Sequence, residues 1–243
     1  MSAYKMKHTV TFSDADEQGR IKLSTLVSYM METSNRQLAQ GNASVEAFIK
    51  RGIGWVVLDY HFEIERLPKA NETVTFSADV AGYNRFFAYR DFNVTDEAGH
   101  EIITVHSQWV ILDLKERKIK EADPKLMASF NNYELKKMPR FKRVRPLKDY
   151  EEKYDQKYQV RYYDLDTNHH MTNTKYFDWI VDSLPRDFLN NHQPKILDIC
   201  FKKEIHYGQD AVSHVKLDTE KLTSKHEIVH GDDIATLAEI TWL

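Results

Sequence analysis

Tyr163-Asp164-Leu165-Asp166-Thr167-Asn168-His169-His170-Met171-Thr172-Asn173 gathers two carboxylates, two amides and two imidazoles in eleven residues, immediately before an amphipathic run. A fainter copy lies 150 residues earlier, at Phe12-Ser13-Asp14-Ala15-Asp16-Glu17-Gln18-Gly19-Arg20. It keeps both acids, but Gln18 stands for Asn168 and Arg20 for His170. The same register pairs Leu26-Val27 with Tyr176-Phe177, Tyr29 with Trp179 and Glu32 with Asp182. Further on, Leu58-Asp59 matches Leu197-Asp198, Phe62 matches Phe201 and Glu65 matches Glu204, now at an offset of 139. Each half closes on a β-rich run ending in tryptophan, Ile102 to Trp109 and Ile234 to Trp242. Their common order points to a duplicated fold in which one copy keeps the reactive groups.

Within each half the expected elements follow the same order. Leu23, Leu26, Val27, Met30 and Leu38 recur at helical spacing, as do Phe177, Ile180, Val181 and Leu184, with Pro185 helping to stop the second helix. Strand-like alternation or β-branched enrichment follows, as in Val74 to Val80 and Ile102 to Val105. Hairpin turns are expected at Asp96-Glu97-Ala98-Gly99 and His230-Gly231-Asp232-Asp233. One long helix followed by antiparallel strands predicts an α+β arrangement, a sheet wrapped around a helix. The expected halves are residues 1–118 and 158–243, joined by a basic linker over 119–157. Lys136 to Lys148 carries seven basic residues, two prolines and no acid. It reads either as a solvated strap or as a docking patch for an acidic partner.

Composition narrows the function classes. The 243 residues carry a net charge of −3 and no run of about 18 apolar residues, which predicts neither a dedicated nucleic-acid binder nor a membrane-spanning helix. The amino-terminal residues lack the apolar segment of a secretory signal, and Cys200 is the sole cysteine, so a cytoplasmic location without disulfides is expected.

In an extended segment, alternate side chains share a face, so Asp164, Asp166, Asn168 and His170 are expected to point together and His169 away. A histidine near its working pKa can take a proton from water at neutral pH, and a carboxylate can orient it. The helix expected from Thr172 or Asn173 offers unpaired amides at Met171, Thr172 and Asn173 for an oxygen that becomes negative during acyl transfer. Blander roles stand beside these: Asn173 as a helix cap, Asp164 as a turn stabiliser. A zinc site from His169, His170 and Asp166 is disfavoured because adjacent histidines in an extended segment do not face one ion. No metal or cofactor is expected. No Gly-x-Ser-x-Gly elbow exists for a serine hydrolase.

The stretch Asp164 to Tyr176 resembles the Asp-x-Asp-x-Asn-x-His pattern of the acyl-acyl carrier protein thioesterases. Phe201-Lys202-Lys203-Glu204, Trp55-Val56-Val57 through Pro68, Arg90-Asp91-Phe92 and Trp109 extend the resemblance over almost the whole chain. It implies a tandem double hot-dog fold, with Asp166, Asn168, His170 and Glu204 as the catalytic set and the first half supplying the acyl pocket. It further implies hydrolysis of a fatty acyl thioester on acyl carrier protein, without cofactor. A homodimer is also expected, since hot-dog folds commonly dimerise. Either His170 or Glu204 would take the proton from water. Because acyl carrier proteins are acidic, Lys136, Lys137, Arg140, Lys142, Arg143 and Arg145 would steer the partner. The sequence departs from the family at Thr172, where Asn is usual, and at His169, where Gln is common. Ile205 replaces the Cys some plant relatives carry after the glutamate, and Cys200 reads as a buried strand residue. Alternatives are a hot-dog thioesterase acting on coenzyme A esters, a non-catalytic acyl-binding module and a hot-dog hydratase.

Overall fold

A computed structural model describes residues 3–41, 43–148, 154–166 and 170–243. The strands are β1 Tyr4–Thr9, β2 Ile53–Ile64, β3 Thr73–Tyr83, β4 Phe87–Thr95, β5 Glu101–Asp113, β6 Ile119–Lys120, β7 Tyr154–Gln159, β8 Pro194–Phe201, β9 Asp210–Asp218, β10 Thr223–His230 and β11 Asp233–Trp242. The helices are α1 Leu23–Gln40, α2 Val45–Lys50, α3 Pro124–Ala128, α4 Asn173–Asp182 and α5 Arg186–Asn191. All the strands join one antiparallel sheet in the order β1-β3-β4-β5-β2-β8-β11-β10-β9-β7, with β6 beside β5. Read outward from the β2–β8 seam, the two wings have the same order. At that seam Tyr60 pairs with Ile199, flanked by Asp59 with Cys200 and His61 with Asp198. Tyr60 and Ile199 differ by 139, so the sequence offset is realised as a pseudo-two-fold centred on one residue pair.

Alternation decides which side of each strand meets the helices. Val74, Phe76 and Ala78 of β3 are buried while their neighbours are more exposed. Leu26, Val27 and Met30 of α1 meet Phe177 and Ile180 of α4 in one core with Phe62, Leu197 and Ile199. Each such side chain contributes about 1.5–3 kcal/mol on burial. A second apolar cluster belongs to the first half alone. It joins Leu38 at the end of α1, Phe48 of α2 and Ile53 to Leu126, Met127 and Phe130 around α3. Both expected hairpin turns form, with Gly99 at φ 85° and Gly231 at φ 55°.

The expected linker boundaries shift. Residues Ile119 to Phe130 belong with the first half, through β6 and the α3 side chains, and β7 already begins at Tyr154. Between them a strap is pinned across the molecule. Tyr83 N–H donates to Tyr133 O and Leu135 N–H to Tyr83 O, at 2.9 and 2.8 Å. A Cβ on Gly82 would lie 2.4 Å from Leu135 Cγ, so the strap requires glycine there. Phe141 stacks on Tyr89, Val144 is buried, and Lys142 Nζ reaches Glu239 at 2.9 Å and Asp198 at 3.5 Å. Lys142 is therefore tied to the sheet although it is exposed, as are Lys136, Lys137, Arg140, Arg143 and Arg145.

Candidate active site

The described residues of the two copies of the opening motif fold alike. In each, a short 3-10 turn, Phe12–Asp14 or Tyr162–Asp164, ends on the first acid. That acid receives the backbone N–H of Thr11 at 2.8 Å or of Arg161 at 2.9 Å. The chain then reverses across a single antiparallel bridge, Ala15 to Ile21 or Leu165 to Met171. Asp16 N–H donates to Arg20 O at 2.7 Å, and Asp166 N–H to His170 O at 2.9 Å. The backbone N–H of Arg20 returns to Asp16 at 2.9 Å and that of His170 to Asp166 at 3.4 Å. Thr167, Asn168 and His169 lie outside the described residues, so the expected roles of Asn168 and His169 have no structural counterpart here.

This reversal corrects the expectation of an extended, alternating edge. Asp164 does not share a face with His170: it is buried, capping its own 3-10 turn and facing Arg161 and Lys175. Its blander reading as a turn stabiliser is the one the geometry gives. Thr172 occupies the cap position of α4, making Asn173 the first helical residue rather than the cap. Two of the three proposed oxyanion amides are already committed. Met171 N–H donates to Ile205 O at 3.1 Å and Thr172 N–H to Asp164 O at 2.8 Å. Those bonds fix the loop, leaving the first-turn amide of Asn173 to carry the idea.

The Met171–Ile205 bond and a bridge between His170 and His206 stitch the loop to the segment following β8. Tyr176 supports that segment from α4, its ring against Phe201 and its hydroxyl donating to Lys203 O at 3.4 Å. Glu204 is thereby set beside His170, with Nε2 to Oε2 at 3.4 Å. Arg117, from the turn between β5 and β6, donates to the same Glu204 oxygen. The sequence reading missed it because nothing local marks an arginine 87 residues from its partner. It also missed His206, whose ring lies 5.1 Å from that of His170.

His170, Glu204 and Arg117 line a pocket otherwise built by the first half. Its apolar wall includes Met31, Leu38, Phe48, Ile53, Trp55 and Trp109. Arg90 and Gln37 form a buried polar contact against this wall, and burial lowers the Arg90 pKa. A second, more polar cleft lies between the starts of α1 and α4 and α5, with Asp16, Arg20, Asp164 and Lys175 around it. It contains neither His170 nor Glu204. Cys200 is buried beside Asp59, and burial pushes its thiol up to about 11, which removes it as a nucleophile. Among the described residues no group of three or more His, Cys, Asp or Glu side chains is disposed to hold a metal ion.

Fold and site together define a duplicated, mixed α and β protein with one histidine–carboxylate pair at the mouth of an apolar pocket. Residues 1–130 match the acyl-ACP thioesterase N-terminal domain and residues 147–243 the acyl-ACP thioesterase C-terminal domain. The chain belongs to the acyl-ACP thioesterase family. It is similar to a Lactobacillus plantarum crystal structure provisionally described as an oleoyl thioesterase, with 32% identity and a TM-score of 0.95, over 99% of this chain and 96% of that one. The fold is also that of the 12:0-ACP thioesterase from Umbellularia californica, at 17% identity and a TM-score of 0.88, over 99% and 97% of the two chains. An oleoyl-acyl carrier protein thioesterase from Arabidopsis thaliana chloroplasts is 22% identical over 83% of this chain, which spans 59% of that protein's length. Among the described residues no helix is long and apolar enough to cross a membrane.

Proposed function

We propose that the protein hydrolyses fatty acyl thioesters carried on acyl carrier protein, and that its two wings are tandem hot-dog units of which only the second is catalytic. The observation that carries this reading is the His170–Glu204 pair of the second wing closing an apolar pocket of the first. An acyl chain lying in that pocket would bring its thioester carbonyl to the pair. Water held between His170 Nε2 and the Glu204 carboxylate loses a proton to one of them, and the resulting hydroxide attacks the carbonyl carbon. The Asn173 amide, in the first turn of α4 at its positive end, is the remaining helix-start donor to receive the oxyanion. Collapse breaks the C–S bond, the carrier thiolate recovers the proton, and a free fatty acid leaves. Asp166 holds the backbone of His170 in the loop, and Asn168 is proposed to orient the water or the imidazole.

The strap supports a route for the partner. Phe141 stacks on Tyr89, itself a pocket residue, so the exposed cations Lys136, Lys137, Arg140, Arg143 and Arg145 pass close to the pocket wall. They would attract an acidic carrier protein, with Lys142 serving as the strap's anchor.

The deciding measurement is kcat/KM for matched acyl chains, from short to long, on carrier protein and on coenzyme A. A preference for carrier esters is expected; equal or faster turnover of coenzyme A esters would favour that alternative, and binding without turnover the non-catalytic one. Reversing charge at Lys136, Lys137, Arg140, Arg143 and Arg145 should raise KM for carrier esters and spare a small thioester. Equal effects on both would exclude docking there.

A further inference from the structure

We infer that Arg117 is a positioning residue of the reaction centre, the one contribution the first wing makes to the chemistry rather than to the pocket. The inference rests on the thioesterase reading of His170 and Glu204. Glu204 follows β8 on a stretch with little regular structure, so its carboxylate needs something besides its own backbone to aim it. Arg117 Nη2 and His170 Nε2 converge on the same atom, Glu204 Oε2. A guanidinium and an imidazole meeting at one carboxylate oxygen fix where that carboxylate lies and leave its other oxygen for water.

Arg117 is itself held firmly. Asp113 at the end of β5 accepts the backbone N–H groups of Lys115 and Glu116, both at 2.9 Å, and pairs with Lys120 at 3.2 Å. Arg117 N–H donates to Asp113 O at 2.9 Å, and Asp113 N–H to Lys118 O at 2.8 Å. Leu114 N–H donates to Gly52 O at 2.9 Å, tying the turn to the residue before β2, whose Ile53 and Gly54 line the pocket. Arg117 sits at φ 56°, a left-handed conformation uncommon outside glycine, so the turn rather than local preference sets its direction. As a contribution to stability, a pair this exposed is worth little. Its value is geometric: the carboxylate that must meet water and His170 is aimed by the opposite wing.

The test is a kinetic cycle on the intact chain with a small soluble acyl thioester, using Arg117→Met, Arg117→Lys, Glu204→Gln and the Met/Gln double variant, with thermal midpoints alongside. Misplacing a reacting group by about an ångström costs on the order of 100-fold. Arg117→Met should therefore lower kcat by about 10- to 100-fold with KM within about twofold and an unchanged midpoint. Lysine should restore part of the loss, since it keeps the charge without the fork. In the Glu204→Gln background, Arg117→Met should cost almost nothing more, because the residue acts through that carboxylate. Unchanged kcat in Arg117→Met, additive losses in the double variant, or a loss that tracks a fall in folded fraction would each overturn the role. A wild-type chain with no turnover on any thioester would instead overturn the thioesterase reading, and this inference with it.

Discussion

Where both are described, the loops that run from Asp14 to Lys22 and from Asp164 to Thr172 share a 3-10 turn, a bridge and a backbone bond, yet they have opposite fates. In the second, His170 turns into the first wing's pocket and meets Glu204. In the first, Arg20 lines the second cleft, away from the pocket that His170 enters, and its guanidinium is committed to the backbone of the other wing. Its Nε donates to Asp16 at 3.0 Å, and its two Nη groups donate to His192 O at 2.8 Å and Leu189 O at 2.9 Å. Those carbonyls lie at the carboxyl-terminal end of α5, where a cation is favoured. The residue that replaced the imidazole thus staples the wings together. Helix length completes the divergence. The repeat offset falls from 150 before the helices to 139 after them, and α1 runs 18 residues against 10 for α4. The extra turns and α2 bring Leu38, Phe48 and Ile49 to the pocket. In the second wing the short α5 follows directly and packs Phe188 against Trp242. The difference teaches that a longer helical segment in one wing and the loss of the imidazole from its loop go together with a pocket in that wing and the histidine–carboxylate pair in the other.

The strongest way to break this comparison is to make the second loop copy the first. His170→Arg should preserve the fold, since Arg20 already occupies the same backbone, yet lower kcat by about 10²- to 10⁴-fold. Kinetics alongside circular dichroism would check it, and near-normal turnover would remove His170 from the mechanism. Glu204→Ala should fall in the same range.

The converse change is smaller. Arg20→His should create no second activity, because Glu65, which holds the register position of Glu204, does not line the cleft beside Arg20. It should cost about 1–3 kcal/mol in urea denaturation, since it strips donors from two buried-end carbonyls and from Asp16. A loss under a few tenths of a kcal/mol would show that the staple is ornamental. Turnover that survives His170→Ala only in the Arg20→His background would show a latent second site.

Much of this asymmetry was legible in the sequence, because the two offsets are real registers. Offset 150 aligns the 3-10 turns, the bridges and the helix starts at Leu23 and Asn173, and offset 139 aligns the strands that pair at the seam. The turns at Asp96–Gly99 and His230–Asp233 were equally readable, since short loops obey local rules. What failed was parity within the motif. Periodicity of two presumes an extended chain, and the capped 3-10 turn at Tyr162–Asp164 with the reversal after Leu165 breaks it. Counting helix-start amides as free failed for a related reason: Ile205 O and Asp164 O come from elsewhere in the fold and take them. Arg117 was invisible because its meaning depends on a turn in the other wing. The pocket's ownership was implied by family resemblance, although the length difference between the helices marks it physically.

The mildest prediction concerns the seam, where the pseudo-two-fold sets Asp59 with Cys200 against His61 with Asp198. The first pair is an acid beside a thiol, and burial raises the Asp59 pKa above the usual carboxylate range. In the second, the hydrogen bond from His61 to Asp198, 2.7 Å long, raises the imidazole pKa against the opposing effect of burial. The neighbouring His106 is raised in the same way by Asp91. A histidine whose folded pKa exceeds its unfolded value of about 6.5 stabilises fully below that value. The contribution then disappears as pH climbs through the folded pKa. Asp59 acts with the opposite origin: its burial costs stability as pH rises from the unfolded carboxylate pKa through the raised folded one. Stability measured by urea denaturation should therefore decline gently above neutral pH, by on the order of 0.5 kcal/mol for a partly exposed imidazole on a buried carboxylate. His61→Asn should flatten that decline while leaving the acid limb in place. An unchanged slope would mean that the charge at the seam is already balanced by Lys142, which reaches Asp198 from the strap, and that the two sides of the pseudo-axis are energetically alike.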